Sequence, residues 1–385
     1  MKITHIALTI FTDNWAYQDN LLTKYHKIIG YDVSMITSKF IYNSEGKIDS
    51  DDRDIYVNEN GIKIIRLRTK YGATVNWKFK KYDNLYKSIS LEKPDILFVH
   101  GCQYLDIKTI VEYIRNNPNI KVYVDNHADF SNSATNWISK NILHKVVWRR
   151  YAKMIEPYTI KFYGVLPARV DFLKDIYKLP EGKVELLVMG ADDERVKEAK
   201  NTDVKKEIRE KYNIKSDDFL IITGGKIDNA KRQILLLMQA IRQIEKENVK
   251  LIVFGSVDKE LKDEVNSLTD SDKIQYIGWV QSEDSYKYFA SADLVVFPGR
   301  HSVFWEQVAG LGIPMIVKYW EGTTHVDLGG NVKFLYKDSI DEIKEEISTI
   351  LNKCEIYENM KNVAENKGME KFSYVNIAKR SISRE

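Results

Sequence analysis

Five short apolar runs punctuate the second half of the chain: FLIIT (219–223), KLIVFG (250–255), IQYIGW (274–279), DLVVFPG (293–299) and PMIVKY (314–319). Segments of helical periodicity, such as RQILLLMQAIRQIEKE and SEDSYKYFASA, lie between them. Short runs that stay apolar read as strands buried on both faces. Their regular alternation with helices predicts a parallel sheet covered on each side. The first half repeats the rhythm more loosely. ITHIALTI, YDVSMITS, GIKIIRL, PDILFVHG and KVYVDNH are its expected strands, and YQDNLLTKYHKIIG is a helix stopped by Gly30. A chain of 385 residues exceeds one ordinary core, so two domains are expected. The expected class is α/β, with two Rossmann-like, doubly wound domains facing across a cleft. Open sheets of this kind bind ligands at the carboxyl ends of their strands, so site residues are sought just after strands. The charged run at 188–218 is expected to hold the domain junction near MGADDE, then a solvated surface helix.

Charge narrows the partners. Lys plus Arg is 58 against 55 for Asp plus Glu, which argues against a nucleic-acid binder. The two cysteines, Cys102 and Cys354, have no metal-type spacing and fit a reducing cytosol. MKITHIALTIF is interrupted by His5 and reads as a first strand and not as a signal peptide. No apolar stretch reaches the roughly 18 residues of a membrane span. The expected location is the cytoplasm, with attachment to the inner face of the cell membrane as the further option.

GGKIDNAKR (224–232) follows the first strand of the second half and leads into a helix. Gly224 and Gly225 allow close backbone approach, Lys226 and Lys231 supply positive charge, and the helix start offers N–H groups and the positive end of its dipole. A phosphate or diphosphate suits such a turn. It has neither P-loop nor Gly-x-Gly-x-x-Gly spacing, and surface lysines at a helix start are the plainer alternative.

Several stretches together resemble a family-four glycosyltransferase of the GT-B fold, of the bacterial surface-polysaccharide type. These are the basic turn, LPEGKVELLVMGADDE (179–194), ASADLVVFPG (290–299), WEQVAGLGIPMIV (305–317) and KFSYVNIAKRSI (371–382). The resemblance implies an acceptor-side domain at 1–188, a nucleotide-sugar domain at 189–368, and a terminal helix at 369–385 crossing back to the first domain. It also implies that Lys226 and Lys231 grip the diphosphate of a nucleotide-sugar, UDP- or GDP-linked, with Gly225 between strand and turn. The family usually carries two glutamates seven residues apart before its Gly-x-Pro element. Here Gln307 stands in the second place, preceded by Glu306, and Gly299 falls in the first. Gln307 could hold a ribose diol through its amide, and Glu306 could substitute on a slight helix rotation. The matching loop, Arg300, His301, Ser302 and Val303, is expected to meet phosphate and sugar, with Arg300 or His301 neutralising phosphate charge.

A histidine after a first-domain strand commonly reaches the donor sugar in such enzymes. His100 and His127 compete for that place, and His127 matches better. Asn14, Trp15, Tyr17 and Gln18, in TDNWAYQDN (12–20), would suit a sugar ring on the acceptor side; a helix cap with ordinary aromatic packing is the alternative. WKFKKYDNLYK (77–87) and WISKNILHKVVWRRYAK (137–153) mix aromatic and basic residues. The second, with Lys140, Lys145, Arg149, Arg150 and Lys153 and no acid, reads either as a buried helix with a basic face or as a helix resting on anionic lipid.

The expected function is transfer of a hexosyl unit from a nucleoside-diphosphate sugar to a saccharide or lipid-linked saccharide acceptor, with retained configuration and no metal or other cofactor. The alternatives are a catalytically silent GT-B subunit supporting a partner transferase and, lower in rank, a sugar-nucleotide epimerase.

Overall fold

The computed structural model describes residues 1–43, 47–70, 79–270 and 272–383. The chain divides into one unit of Met1–Val188 with Ile377–Glu385 and a second of Met189–Asn376. The chain re-enters the first unit within the helix Tyr374–Ser381, and the helix before it, Cys354–Phe372, carries residues 369–372.

The first unit has strands β1 (Lys2–Ala7), β2 (Asp32–Ser38), β3 (Phe40–Tyr42), β4 (Ile48–Ser50), β5 (Ile55–Val57), β6 (Lys63–Leu67), β7 (Ile96–His100), β8 (Lys121–Asn126), β9 (Thr159–Gly164) and β10 (Val184–Leu186). Eight of them form one sheet in the order β10-β9-β8-β7-β1-β2-β6-β5, while β3 and β4 pair as a hairpin. Every pairing in the large sheet is parallel except that of the edge strand β5 with β6. Ile6, Ile36, Leu97, Val99, Val122 and Val124 are buried and tie the sheet to its covering helices. β1 lies between β2 and β7, so successive crossovers leave it on opposite sides. That reversal opens a crevice beyond the carboxyl ends of β1 and β7.

The second unit is a six-stranded parallel sheet of β11 (Phe219–Gly224), β12 (Val249–Phe254), β13 (Ile274–Tyr276), β14 (Leu294–Phe297), β15 (Met315–Lys318) and β16 (Val332–Leu335). Its order is β13-β12-β11-β14-β15-β16, which places the same kind of reversal between β11 and β14. Ile221, Leu251, Val253, Leu294, Val296 and Ile316 are buried between the helix layers.

The charged run differs from the expected single solvated helix. It forms two helices, Asp193–Ala199 and Thr202–Lys211, the first capped by Asp192 accepting from the N–H groups of Glu194 and Arg195. Arg209 is buried. Its guanidinium donates to the carbonyls of Ser291, Lys215 and Asp218, which docks the second helix against the sheet. The segment 137–153 is helical throughout, first as a π-type helix Ser139–Trp148 and then as the α-helix Arg149–Ile155. Trp77 and Lys78, the start of the other basic-aromatic segment, lie outside the described residues, and the helix Leu85–Glu92 begins near its end.

Two glycines brace the basic turn. Gly225 (φ +129°) donates to the Phe254 carbonyl at 3.0 Å, and Gly255 (φ +131°) lies so close that a Cβ there would overlap the Gly225 carbonyl. Gly255→Ala is therefore expected to destabilise the second unit by about 3 kcal/mol or to shift the turn bodily. Urea denaturation, read beside nucleotide binding, checks this, because the displaced group is the backbone of the turn itself.

Candidate functional site

At the reversal of the second sheet, Gly224 ends β11 and Phe297 ends β14. Here Thr223, Gly224, Lys231, Phe297, Pro298, Gly299, Arg300 and Ser302 line a narrow pocket with Ile234 at its base. Thr223, one place before the end of β11, carries a buried hydroxyl that has no hydrogen-bond partner among the described residues. Lys231 closes one wall, and burial lowers the pKa of its ammonium, with the positive charge of Lys226 acting in the same direction and Asp228 opposing. A half-buried cation beside an unsatisfied hydroxyl and glycine backbone is a site for an anion with acceptor oxygens.

The two lysines divide their tasks. Lys226 does not line this pocket; its Nζ lies 3.3 Å from Asp228 Oδ2 and 3.2 Å from Asp258 Oδ1, and those partners raise its pKa. The free N–H groups expected at the helix start also need correction. Asp228 folds back to accept from Ala230 N and Lys231 N, both at 3.0 Å, because an Asx cap satisfies the first turn from within. Gly225 supplies the left-handed bend between Gly224 and Lys226.

The loop after β14 brings Arg300 and Ser302 to the pocket, while His301 turns the other way. His301 Nε2 lies 2.9 Å from Glu306 Oε1, and His325 Nε2 lies 2.8 Å from the same oxygen. Glu306 is fully buried. Burial alone would raise its pKa, yet the charges and hydrogen bonds of His301 and His325 hold it down to about 2. Its Oε1 thus joins the loop after β14 to the segment holding His325, while Oε2 has no partner among the described residues. Val303 is the N-cap position of the helix Phe304–Leu311. Gln307 is fully buried, and neither Nε2 nor Oε1 has a partner among the described residues. A buried amide with nothing to bond leaves both a donor and an acceptor for a ligand.

In the first unit, a cavity of about 280 Å³ opens at the sheet reversal. Thr9 and Ile10 follow β1, His100 and Gly101 end β7, His127 and Ala128 follow β8, and Tyr17, Gln18, Asp19, Lys80, Gln103, Tyr104 and Ser133 complete the wall. The structure brings together both histidine candidates and two of the four expected acceptor-side residues. Asn14 and Trp15 are not in this wall. The backbone N–H of Asn14 donates to Glu59 Oε1 at 3.1 Å, and Trp15 stacks on Tyr42 with ring centres 5.0 Å apart. Trp15 thus packs on a neighbouring ring, while the Asn14 side chain is exposed.

Sequence reading did not single out Asp19, Lys80, Tyr104 or Asp125. Desolvation raises the pKa of Asp19, and it pushes Lys80, 4.8 Å from the centre of the Tyr104 ring, down to about 8. Asp125 is the carboxylate behind both histidines, with Oδ2 2.7 Å from His100 Nδ1 and 3.3 Å from His127 Nε2. The signal was present in VDNH, where the acid sits two places before His127 and therefore on the same strand face. His100–Asp125–His127 and His301–Glu306–His325 each gather three ligand-type groups within 4.8 Å. In both, one carboxylate oxygen takes both imidazoles at hydrogen-bonding separations, so ordinary pairing accounts for the clusters.

Residues 204–367 match the family model described as Glycosyl transferases group 1. The chain is 21% identical over 340 residues to an uncharacterized glycosyltransferase of Methanocaldococcus jannaschii, covering 85% of each protein. It also resembles the crystal structure of a glycosyltransferase from Rickettsia africae, at TM-score 0.68 and 14% identity over 98% of this chain and 96% of that one. The chain is a glycosyltransferase. Its fold is GT-B, built from two Rossmann-like units. The Anabaena protein HepE, solved in complex with UDP-glucose, shares the fold at TM-score 0.65 and 13% identity, over 99% of this chain and 98% of that one.

Proposed function

We propose that this glycosyltransferase takes a hexosyl unit from a nucleoside-diphosphate sugar and passes it to a saccharide or lipid-linked saccharide, with retained configuration, as a family-four enzyme. The observation that carries the reading is the pocket at the end of β11 and β14. Lys231, Arg300, Ser302 and the unpartnered Thr223 hydroxyl converge there on glycine backbone. A diphosphate answers that set with negative charge and acceptor oxygens. The UDP-glucose bound by HepE favours a uridine donor. Lys231 and Arg300 would stabilise the charge that grows on the departing diphosphate, the largest contribution such a site can make without a metal. The unpaired Gln307 amide is the group assigned to the ribose diol.

The cavity of the first unit is assigned to sugar, with His127, Tyr17 and Gln18 as hydrogen-bonding groups and Tyr104 as an apolar wall. The lipid-linked acceptor rests on the helical segment 137–155. There Trp137, Ile138, Ile142 and Val146 are exposed beside Lys140, Lys145, Arg149, Arg150 and Lys153. No helix among the described residues is long and apolar enough to cross a membrane. Sedimentation with anionic vesicles at low salt is expected to carry the protein down, and a Trp137→Ser, Ile138→Ser variant is expected to stay in solution.

Thermal-shift screening against UDP, GDP and their hexose derivatives tests the donor assignment. At a ligand concentration 100 times Kd, the apparent stability should rise by about 2.7 kcal/mol. Slow hydrolysis of the matching sugar nucleotide should accompany the shift. A panel that neither shifts melting nor loses sugar would contradict the reading and favour the silent-subunit alternative.

A further inference from the structure

Behind the cavity of the first unit, side chains from five elements join in one hydrogen-bonded line. Asp125 Oδ2 meets His100 Nδ1 at 2.7 Å, and His100 Nε2 meets His5 Nδ1 at 2.9 Å. His5 Nε2 meets His26 Nδ1 at 2.9 Å. His26 Nε2 ends the line 2.9 Å from Ser381 Oγ and 3.2 Å from the Ala378 carbonyl, both in the helix Tyr374–Ser381. His5 and His26 are fully buried and His100 nearly so.

Each link must contain one proton, and a neutral imidazole carries only one. Two arrangements meet that condition with Asp125 ionised and His5 and His26 neutral. In the first, all three rings hold their proton on Nδ1, and Ser381 donates its hydroxyl to His26 Nε2. In the second, His5 and His26 hold theirs on Nε2, and His100 is protonated on both nitrogens. The second contains one proton more.

The far end of the line selects between them. Ser381 Oγ also lies 2.9 Å from the Ala378 carbonyl, which can only accept. Its single hydroxyl proton cannot serve both that carbonyl and His26. If His26 donates from Nε2 to Ser381, Ser381 is free to donate to Ala378, and every group is satisfied. The near end agrees. Asp125 is fully buried, and its second oxygen Oδ1 has no partner among the described residues, so a cation beside it is favoured over a neutral ring.

We propose that His5 and His26 are positioning residues that transmit the hydrogen-bond demand of the C-terminal helix along the chain and hold His100 as a doubly protonated imidazolium in the cavity wall. The direction of each shift supports this. Burial, then the neighbouring imidazoles, drive His5 well below the ordinary histidine value, and burial takes His26 down to about 3. Burial also opposes charge on His100, but Asp125, through charge and hydrogen bond, and Asp19 overcome it and raise its pKa. The titratable groups facing His100 are His5 from β1, Asp19 and His26 from the helix Gln18–Ile28, and Asp125 and His127 at the end of β8. Lys80 and Tyr104 share its cavity. The consequence reaches His127. With Asp125 neutralised by His100, His127 donates Nε2–H to Asp125 and keeps Nδ1 as an acceptor for a sugar hydroxyl. That last step rests on the assignment of this cavity to sugar.

The charge state is testable without substrate, by 15N-imidazole NMR of the full chain. At pH 7 His100 is expected to show two protonated nitrogens, and His5 and His26 one each, on Nε2. His5→Leu removes the acceptor for His100 Nε2–H and should lower the His100 midpoint by about one pH unit or more. His5→Asn keeps an acceptor in the Nδ1 place and should restore it. In the transferase assay, His5→Leu should move the alkaline limb of kcat down in pH by the same interval with KM little changed, and His5→Asn should reverse this. A singly protonated His100 at pH 7, or the same His100 midpoint in His5→Leu and wild type, would overturn the proposal whatever the protein transfers. An intact NMR signature without transfer from any sugar nucleotide would overturn only the functional reading.

Discussion

Lys231→Ala is expected to lower kcat/KM for donor turnover by about 10²–10³-fold while leaving the circular dichroism spectrum unchanged. The magnitude follows from where the charge sits. Lys231 lines the pocket and is largely desolvated, so its ammonium acts on a phosphate through little intervening water. Lys226→Ala should cost less than about tenfold, because that ammonium is half exposed and already paired with Asp228 and Asp258. The contrast between the two substitutions is the informative part. A motif that used both lysines equally would give similar losses, and a surface role for both would give none.

Glu306→Ala is expected to destabilise the protein by about 3–5 kcal/mol, the usual cost of removing one partner from a buried charged cluster. His301 and His325 lose the oxygen they share, and the loop after β14 loses its link to the segment around His325. The same carboxylate predicts an acid dependence. Its pKa falls from 4.5 to about 2 on folding, so its contribution is complete above pH 4.5 and disappears as the pH drops through 2. That contribution is about 3 kcal/mol. The stability gap between wild type and Glu306→Gln, measured by urea denaturation, should therefore close over that interval. A gap independent of pH from 5 to 2 would show that Glu306 does not act through its charge.

The parallel sheets were legible because β1, β2, β7, β8, β11, β12, β14 and β15 are short runs dense in buried apolar residues. β9 and β10 were not, since TIKFYG carries a lysine at its centre and β10 is three residues long at a sheet edge. Lys231, Arg300, Ser302 and His127 were readable from their places after strands. The roles of Asp125 and Glu306 were not, because an acid in sequence gives no sign that two imidazoles will close on one of its oxygens. The packing of Trp15 was not legible either, because its partner Tyr42 is distant in sequence. The line from His5 through His26 and His100 lay outside any local pattern, since its links span 21 and 95 residues.

Isothermal titration of UDP and GDP into wild type and Lys231→Ala tests the central claim most directly. The account predicts that at least one of these diphosphates binds wild type, and that Lys231→Ala weakens it by about tenfold or more, equivalent to at least about 1.4 kcal/mol. Binding of equal strength to both proteins, or none to wild type, would contradict it.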